Sequence, residues 1–481
     1  MYHFDKSLKK NSAVNLLKTI LGLLFPLITF PYASRILGVE NIGRVNFANS
    51  IMNYFVLFAG LGISNYAIRE GAKIRDNKEL INKFCTEILL INISSTILSY
   101  IGVFAVIQLP VFQPYKALLL LFSTTILFNV VGMNWLFNIY EEFIYITVRT
   151  IFFQFISLVL LLTLVDKQSD SMIYAGILVL SSVGANIFNI FYTRKFVRFF
   201  PGKPYDIKRH LKPIYIIFGM SIASTIYLNL DMTMLGLQAG DYQTGLYAAA
   251  TKLNKIVCNV ISSVCVVFLP RLAYYLEMER KDEFRMLVDK AFYYILGLTI
   301  PASVGMFVLS KEIVLVFSGL TFIEAVPATM IKAPNIVLSV INGFIAIQLF
   351  MPLNKEKESL YATMAGAVIN CILNYLMIPK WGAAGAALAT ICAEGSVFLI
   401  CLIYLKGVYP LKSLAREIGK YLIGGAGIFF ASTLIQKLNL NLWPHIMLIT
   451  IAGIIIYFVI LSYLKSVLVN DIINEIKKRH M

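Results

Sequence analysis

Apolar segments of about 20 residues recur along the whole chain, and they constrain its fold more than any other feature. A helix of about 20 residues can cross the hydrocarbon core of a bilayer. Only 14% of the residues are charged, against about 25% in an average globular domain, which argues against a water-soluble fold. We therefore predict an all-α, multi-pass membrane protein. Its fourteen transmembrane helices have approximate cores at residues 13–35, 43–66, 80–107, 115–138, 143–165, 172–194, 213–237, 245–269, 287–310, 328–352, 359–378, 383–405, 417–435 and 443–464.

The net charge of +16 fits a membrane protein without a nucleic-acid partner, because Lys and Arg accumulate in cytoplasmic loops. With a cytoplasmic N-terminus, thirty of the 42 Lys and Arg residues fall in cytoplasmic segments. This bias predicts that both termini lie in the cytoplasm. The eight predicted external residues are Arg35, Arg44, Lys116, Lys167, Lys311, Lys332, Lys380 and Lys437. The four within predicted helices are Lys18, Arg149, Lys252 and Lys255.

The six Cys and four His residues show no spacing typical of metal ligands, so we predict no metal site. The chain also lacks the GxxxxGK[S/T] loop that holds the phosphates of ATP. No Ser/His/Asp arrangement stands out. We expect no cofactor, no catalytic residues and a transporter rather than an enzyme.

An internal repeat divides the chain into two halves. The turn from Gly38 to Gly43 recurs 202 residues later as Gly240 to Gly245. We predict an N-terminal lobe of six helices at 1–194, a basic cytoplasmic linker at 195–212 and a second six-helix lobe at 213–405. Helices 13 and 14 and an amphipathic tail occupy 406–481. Six helices per lobe predict a pseudo-two-fold axis along the membrane normal.

Polar side chains inside the predicted helices are the candidate substrate-binding residues, because charges near the bilayer centre are costly and usually face a cavity. Lys252 and Lys255 share one face of helix eight, and Asn49 and Asn53 share one face of helix two. Asn53 and Lys255 occupy equivalent positions in the two copies of the repeat, because they are 202 residues apart. The alternatives are an ion pair for the lysines and interhelical hydrogen bonds for the asparagines.

Other charged residues have two possible roles. Lys18 and Arg149 either receive an anion from the inner leaflet or extend to the lipid headgroups. Arg35, at the predicted external turn, either binds substrate on release or joins an outer ion pair with Arg44 and Glu40. The acids Asp231 and Glu394, within predicted helices, either couple transport to an ion or pair with a lysine, whereas Glu87 is expected to stay in contact with water.

Two motifs resemble a known family. Phe30-Pro31-Tyr32-x-x-Arg35-Ile36-Leu37-Gly38-x-Glu40-x-x-Gly43 is similar to the end of the first helix in bacterial polysaccharide flippases of the Wzx type. The segments 231–236 and 245–249 resemble that family's seventh-helix signature. The family belongs to the multidrug/oligosaccharidyl-lipid/polysaccharide exporter superfamily.

The resemblance implies an exporter of the bacterial inner membrane. It would flip undecaprenyl-diphosphate-linked oligosaccharide repeat units, by alternating access, for O-antigen, lipopolysaccharide or capsule synthesis. Membrane lipids, and a polymerase and chain-length regulator of the same pathway, are the implied partners. In a related lipid II flippase, helices 13 and 14 border a groove for the lipid tail, and drug exporters of the superfamily usually have only twelve helices.

Two other functions are alternatives to a glycan flippase. A drug or small-cation antiporter of the same superfamily is disfavoured because a cavity lined by lysines repels cations. A membrane polysaccharide polymerase or glycosyltransferase would need a large external loop, and the chain has none. Either the membrane potential or ion antiport could supply the energy for flipping.

Overall fold

The computed structural model describes residues 8–202, 204–406, 412–438, 440–471 and 473. Within these ranges the chain is made of helices and short connecting turns. It divides into two compact units, Met1–Gly245 and Leu246–Met481. The predicted amphipathic tail lies, from residue 474 onward, outside the described residues.

The first unit is organised around its first helix. Helix α1 packs against α3, α4, α6 and α9. Short 3₁₀ turns at Pro110–Tyr115, Gln168–Asp170 and Gly184–Phe188 join several of the helices. In chain order the helices are α1 (Leu8–Gly60), α2 (Ile63–Ile74), α3 (Lys78–Ile107), α4 (Lys116–Gly132), α5 (Asn134–Ile139), α6 (Phe143–Leu164), α7 (Ser171–Val183), α8 (Asn189–Thr193) and α9 (Lys208–Gln238).

The second unit begins within the next helix and ends in an antiparallel pair that packs together, α17 and α18. Helix α12 packs against α17, and α16 packs against α14 and α15. The helices are α10 (Gly240–Cys265), α11 (Leu269–Glu277), α12 (Lys281–Val308), α13 (Ser310–Ser318), α14 (Val326–Lys332), α15 (Asn335–Gly343), α16 (Glu356–Leu405), α17 (Lys412–Ile435) and α18 (Leu442–Tyr463). Shorter turns lie at Val266–Phe268, Leu320–Ala325, Phe344–Phe350 (a π-helix) and Gln436–Leu438.

The described residues contain 11 helices that are long and apolar enough to cross a membrane, or 12 if the pair bent by 54° at residues 320–350 counts as one. The prediction was fourteen. The difference arises in α1 and α16, which are 53 and 50 residues long and each cover two of the predicted helices. Each contains one residue with non-helical backbone angles, Gly38 in α1 and Gly382 in α16.

The outer faces of many helices carry large apolar side chains that no protein group covers. Leu98 is 69% exposed, Ile403 is 68% exposed and Phe430 is 65% exposed. Apolar surface of this extent is unfavourable in water but is the normal lipid-facing surface of a transmembrane helix. The fold is therefore that of a multi-pass membrane protein.

Candidate functional site

The two copies of the sequence repeat share a glycine with a positive φ. Gly38 has φ of 75° and Gly240 has φ of 80°, values that residues with a Cβ rarely adopt. Gly38 breaks α1, and Gly240 starts α10. The first glycine of the repeated turn thus has the same unusual φ in both copies.

The other two glycines of the repeat permit a close backbone approach. A Cβ on Gly43 would overlap the carbonyl of Asp241, and a Cβ on Gly245 would overlap the carbonyl of Val39. The contacts are reciprocal, since Val39 and Asp241 are related by the same 202-residue offset as the glycines. Glycine is therefore required at both positions for the two turns to touch.

An ion pair also links the two turns to each other. Arg44 Nε lies 3.2 Å from Asp241 Oδ2, and the Tyr115 hydroxyl donates to Asp241 Oδ1 at 2.8 Å. The partner of Arg44 is thus an acid from the second copy of the turn. Arg35 is exposed, and its Nη1 donates to the carbonyl of Pro31 at 3.1 Å. The sequence could not identify Asp241 as the partner because 197 residues separate it from Arg44.

The asparagine face of α1 is partly used for packing. Asn53 Nδ2 donates to Asn229 Oδ1 of α9 at 2.9 Å, the interhelical hydrogen bond that was the structural alternative. Next to it, the Ser50 and Tyr54 hydroxyls lie 3.1 and 3.2 Å from Thr233 Oγ1. Asn49 is half-buried and makes no hydrogen bond among the described residues. Its amide remains the better candidate for a substrate contact.

Helix α10 has two faces of opposite character. Lys252 is half-buried and Lys255 is exposed, and they lie together on one face. Leu253 and Val257 lie on a face turned roughly 150° away, at 100° per residue. These two residues line an apolar groove of about 610 Å³ in the second unit.

The groove is formed mainly by α10, α12 and α18. Pro301, Ala302 and Gly305 line it from α12, and Ile449 and Ile454 line it from α18. Of the two tyrosines that line it, Tyr457 donates its hydroxyl to the carbonyl of Gly297 at 3.0 Å, so this hydroxyl already has a partner within the protein. A cavity of this volume and lining suits an apolar chain rather than a polar ligand.

A buried lysine forms part of a polar network in the second unit. Lys332 Nζ donates to the Tyr247 hydroxyl at 2.8 Å and lies 4.4 Å from the centre of the Tyr247 ring. Asn254 Nδ2 donates to the Lys332 carbonyl at 2.7 Å. Lys332 was predicted to lie in an external loop. This prediction is wrong, because the residue is 3% exposed at the end of α14. The sequence signal that could have indicated its burial is its position within an otherwise apolar run, just before Ala333-Pro334.

The two acids proposed as coupling or pairing residues are both buried. Asp231 lies in α9 and is 9% exposed. In α16, Glu394 Oε2 accepts a hydrogen bond from Asn342 Nδ2 at 2.6 Å, and the same amide donates to the Glu394 carbonyl at 3.0 Å. Asn342 thereby fixes the carboxylate of Glu394 against α15.

Arg149 is buried in a cage of amide oxygens and does not extend to the lipid headgroups. Its Nη1 donates to Asn189 Oδ1 at 2.7 Å and to Asn186 Oδ1 at 3.1 Å, and its Nη2 donates to Asn134 Oδ1. The ring of Tyr145 lies 5.4 Å from its guanidinium carbon. None of the ion pairs among the described residues includes Arg149, so its positive charge is uncompensated. The side chain of Lys18 lies outside the described residues.

Glu87 is fully buried, contrary to the expectation that it would stay in contact with water. Its Oε2 lies 2.6 Å from Arg209 Nη2 and 2.8 Å from His210 Nε2, and its Oε1 accepts from the backbone N–H of Asp206 at 2.7 Å. The Tyr66 hydroxyl lies 2.7 Å from the other imidazole nitrogen. The carboxylate thus fastens the end of the basic linker to α3.

The family of the chain can be decided by comparison. The sequence profile of the family described as polysaccharide biosynthesis protein matches residues 8–276, more than half of the chain. The chain belongs to this family. This membership confirms the resemblance on which the sequence analysis relied.

Curated relatives agree with this assignment. A protein of Escherichia coli strain K12 named "Putative O-antigen transporter" is 22% identical over 386 residues, covering 80% of this chain and 93% of that protein. A probable low-salt glycan biosynthesis flippase of Haloferax volcanii is 24% identical over 222 residues, covering 46% of this chain and 47% of that protein. The family is one of transporters, not enzymes.

Solved structures share the fold. The lipid II flippase MurJ in an inward closed conformation superposes with a TM-score of 0.75 at 18% identity, covering 94% of this chain and 98% of that one. An inward-facing transporter of the multidrug resistance MATE family superposes with a TM-score of 0.64 at 15% identity, covering 80% and 94%. An outward-facing MATE transporter superposes with a TM-score of 0.56 at 15% identity, covering 83% and 96%.

Proposed function

We propose that this protein flips an undecaprenyl-diphosphate-linked oligosaccharide from the cytoplasmic to the external leaflet of a bacterial inner membrane. The main observation in support of the proposal is that helix α10 has two faces of opposite character. One face presents Lys252 and Lys255, and the other lines an apolar groove of about 610 Å³. A lipid-linked glycan combines an anionic diphosphate with a long apolar chain, so its two chemical parts match the two faces.

The comparisons support a carbohydrate-bearing cargo. Relatives are named for O-antigen transport and glycan flipping, and the same fold occurs in a lipid II flippase. The groove is lined by α18, and α18 follows the twelve helices predicted for the two lobes. A groove for the lipid tail at this place is what the resemblance to lipid-linked flippases implies.

The proposed topology has fourteen transmembrane helices. A continuous helix of 50 residues would be about 75 Å long, more than twice the roughly 30 Å of the hydrocarbon core. We therefore assign two crossings to each of α1 and α16, with the changes of direction at Gly38 and Gly382. The lobes remain those predicted, 1–194 and 213–405, with the linker 195–212, the C-terminal part 406–481, the pseudo-two-fold axis and both termini in the cytoplasm.

In the proposed site, each set of residues binds a different part of the cargo. Lys252 and Lys255 bind the diphosphate, whereas Asn49 and Asn53 contact hydroxyl groups of the glycan. Arg149 attracts the anion through its uncompensated charge, since its N–H groups already donate to protein oxygens. The lipid chain occupies the groove that Leu253 lines.

The remaining predicted residues lie along the path of the substrate. Lys18 meets the diphosphate at the cytoplasmic leaflet, and Arg35 meets the cargo at the outer end. Asp231 and Glu394 either bind a coupling ion or pair with a lysine. Both carboxylates are buried, as either role requires.

Alternating access is the proposed mechanism. The inward-facing and outward-facing MATE transporters show that proteins with this fold adopt two states. With the cell interior negative, each negative charge carried outward gains about 2.3 kcal/mol per 100 mV. Two net charges of a diphosphate would therefore bias flipping outward without ATP, and ion antiport is the alternative source of energy.

The experiment that tests the proposal is rescue of a bacterial strain that lacks its own repeat-unit flippase. Expression of this protein should restore surface glycan, and the variant Lys252→Ala with Lys255→Ala should restore less than about a tenth of it at equal protein level. The control, Lys281→Ala with Lys357→Ala, removes two exposed lysines of the second unit and should rescue normally. Normal rescue by the first variant would exclude these lysines, and ethidium efflux from vesicles without rescue would favour the drug-exporter alternative.

A further inference from the structure

The first unit contains a cavity of about 370 Å³ at the place where α3 begins and α8 has just ended. Four basic side chains line it, together with the amide of Asn82. The four are Lys78, Arg194, Lys195 and Arg198. The cavity is distinct from the site proposed for the transported cargo, because none of its residues belongs to that site.

Among the described residues, no acidic side chain pairs with the basic groups of the cavity. None of the ion pairs among the described residues involves any of its four basic side chains, and no acid lines it. Lys78 Nζ donates only to a carbonyl, that of Phe196, at 3.3 Å. Four cations around so small a space repel one another, and a bound anion would relieve this repulsion.

The walls of the cavity are held in place by hydrogen bonds from the linker to α3. The backbone N–H of Arg198 donates to Asn82 Oδ1 at 2.9 Å, and that of Phe200 donates to Thr86 Oγ1 at 3.1 Å. The ammonium group of Lys195 lies 5.5 Å from the centre of the Tyr192 ring. The basic side chains are therefore attached to a fixed frame, as a binding site requires.

The cavity lies at the level of the lipid headgroups. One candidate membrane span begins at Lys78, and another ends at Thr193, directly before Arg194. On that second span, Phe188 is 52% exposed and Phe191 is 66% exposed. Exposed apolar side chains thus lie on the helical turns directly before Arg194 and Lys195 of the basic cavity.

We propose that this cavity binds the phosphate headgroup of an anionic phospholipid, whose acyl chains lie along Phe188 and Phe191. Basic pockets beside transmembrane helices are suited to such headgroups, and the adjoining apolar surface provides for the chains. A free phosphate ion would use the four cations but not the two phenylalanines. The site does not depend on which cargo the protein transports.

The test is lipid binding by the full-length protein in detergent, measured by native mass spectrometry with phosphatidylglycerol as the probe. The variant Arg194→Gln with Lys195→Gln and Arg198→Gln should bind phosphatidylglycerol at least about tenfold more weakly than the wild type. The control, Lys281→Gln with Arg285→Gln and Lys357→Gln, removes three exposed cations of the second unit and should bind as the wild type does. Phosphatidylcholine should bind the glutamine variant and the control variant equally.

A charge-conserving variant separates a charge effect from misfolding. Arg194→Lys with Lys195→Arg and Arg198→Lys should retain phosphatidylglycerol binding within about threefold. If the glutamine variant is not monodisperse, Lys195→Gln alone carries the test, with an expected weakening of about threefold.

Two results would overturn the proposal. One is phosphatidylglycerol binding by the glutamine variant that equals that of the wild type. The other is displacement of the lipid by inorganic phosphate at equal concentration, which would indicate a site for a free ion.

Discussion

Glu87 offers a sharp test of how the basic linker is attached to the first unit. Its carboxylate is fully buried and interacts with Arg209, His210 and the backbone N–H of Asp206. The substitution Glu87→Gln keeps the size of the side chain but removes its charge and replaces one acceptor oxygen with a donor. Whichever way the new amide is oriented, its NH₂ group faces at least one of these donors.

The cost follows from the bonds that are lost. Hydrogen bonds to charged groups contribute about 1.5–3 kcal/mol each, and breaking a buried ion pair on one side costs about 3–5 kcal/mol. Since a glutamine oxygen can still satisfy one side of the cluster, we expect a loss of about 3 kcal/mol. For a unit of 245 residues this lowers the melting temperature by about 6 °C or more.

The matched control is Glu70→Gln in the same unit. Glu70 also has two basic partners, Arg69 at 2.9 Å and Lys73 at 2.8 Å, but its side chain is 28% exposed. Ion pairs in contact with water contribute about 0.2–1 kcal/mol, so this variant should lose about 1 kcal/mol, or about 2–4 °C. Thermal unfolding in detergent and limited trypsin digestion at Arg198 and Arg209 measure both effects. Equal melting temperatures for the two variants, with no faster cleavage of Glu87→Gln, would refute the reasoning.

Three further substitutions have expected outcomes. Gly245→Ala should cost about 3 kcal/mol in thermal unfolding because its Cβ meets a backbone carbonyl, whereas Gly343→Ala, which has open space around it, should cost nothing. Arg149→Met should cost about 1–3 kcal/mol by the same measurement, because three asparagine oxygens lose their charged donor and each keeps only a neutral one, and Arg149→Lys should cost less. Gly305→Phe should reduce flipping in vesicles at least about tenfold by filling the groove, and Gly305→Ala should flip normally.

The sequence predicted the fold class and the repeated turn because both depend on local patterns. Apolar runs specify spanning helices, and a glycine turn that recurs after 202 residues specifies a positive φ at both Gly38 and Gly240. The number of transmembrane helices is harder to compare between the sequence and the structure. A single glycine can redirect α1 or α16 while helical hydrogen bonding continues on either side of it, so each of them counts as one helix.

The partners of charged residues could not be predicted, because they depend on packing between distant segments. Glu87 lies near the end of a helix, where exposure is the usual state, yet the linker covers it. Lys332 was predicted to lie in an external loop, but it is buried against Tyr247. The groove likewise joins residues from α10, α12 and α18, and the individual sequences of these helices do not show which of their apolar faces meet.

The central claim is that this protein moves a lipid-linked oligosaccharide across a membrane. The most direct measurement uses purified protein in vesicles loaded with a labelled undecaprenyl-diphosphate oligosaccharide, in which an added enzyme detects the label only on the outer leaflet. The account predicts protein-dependent appearance of the label, with at least about a tenfold loss in Lys252→Ala with Lys255→Ala. Label that appears no faster than in protein-free vesicles, while the same preparation transports ethidium, would contradict it.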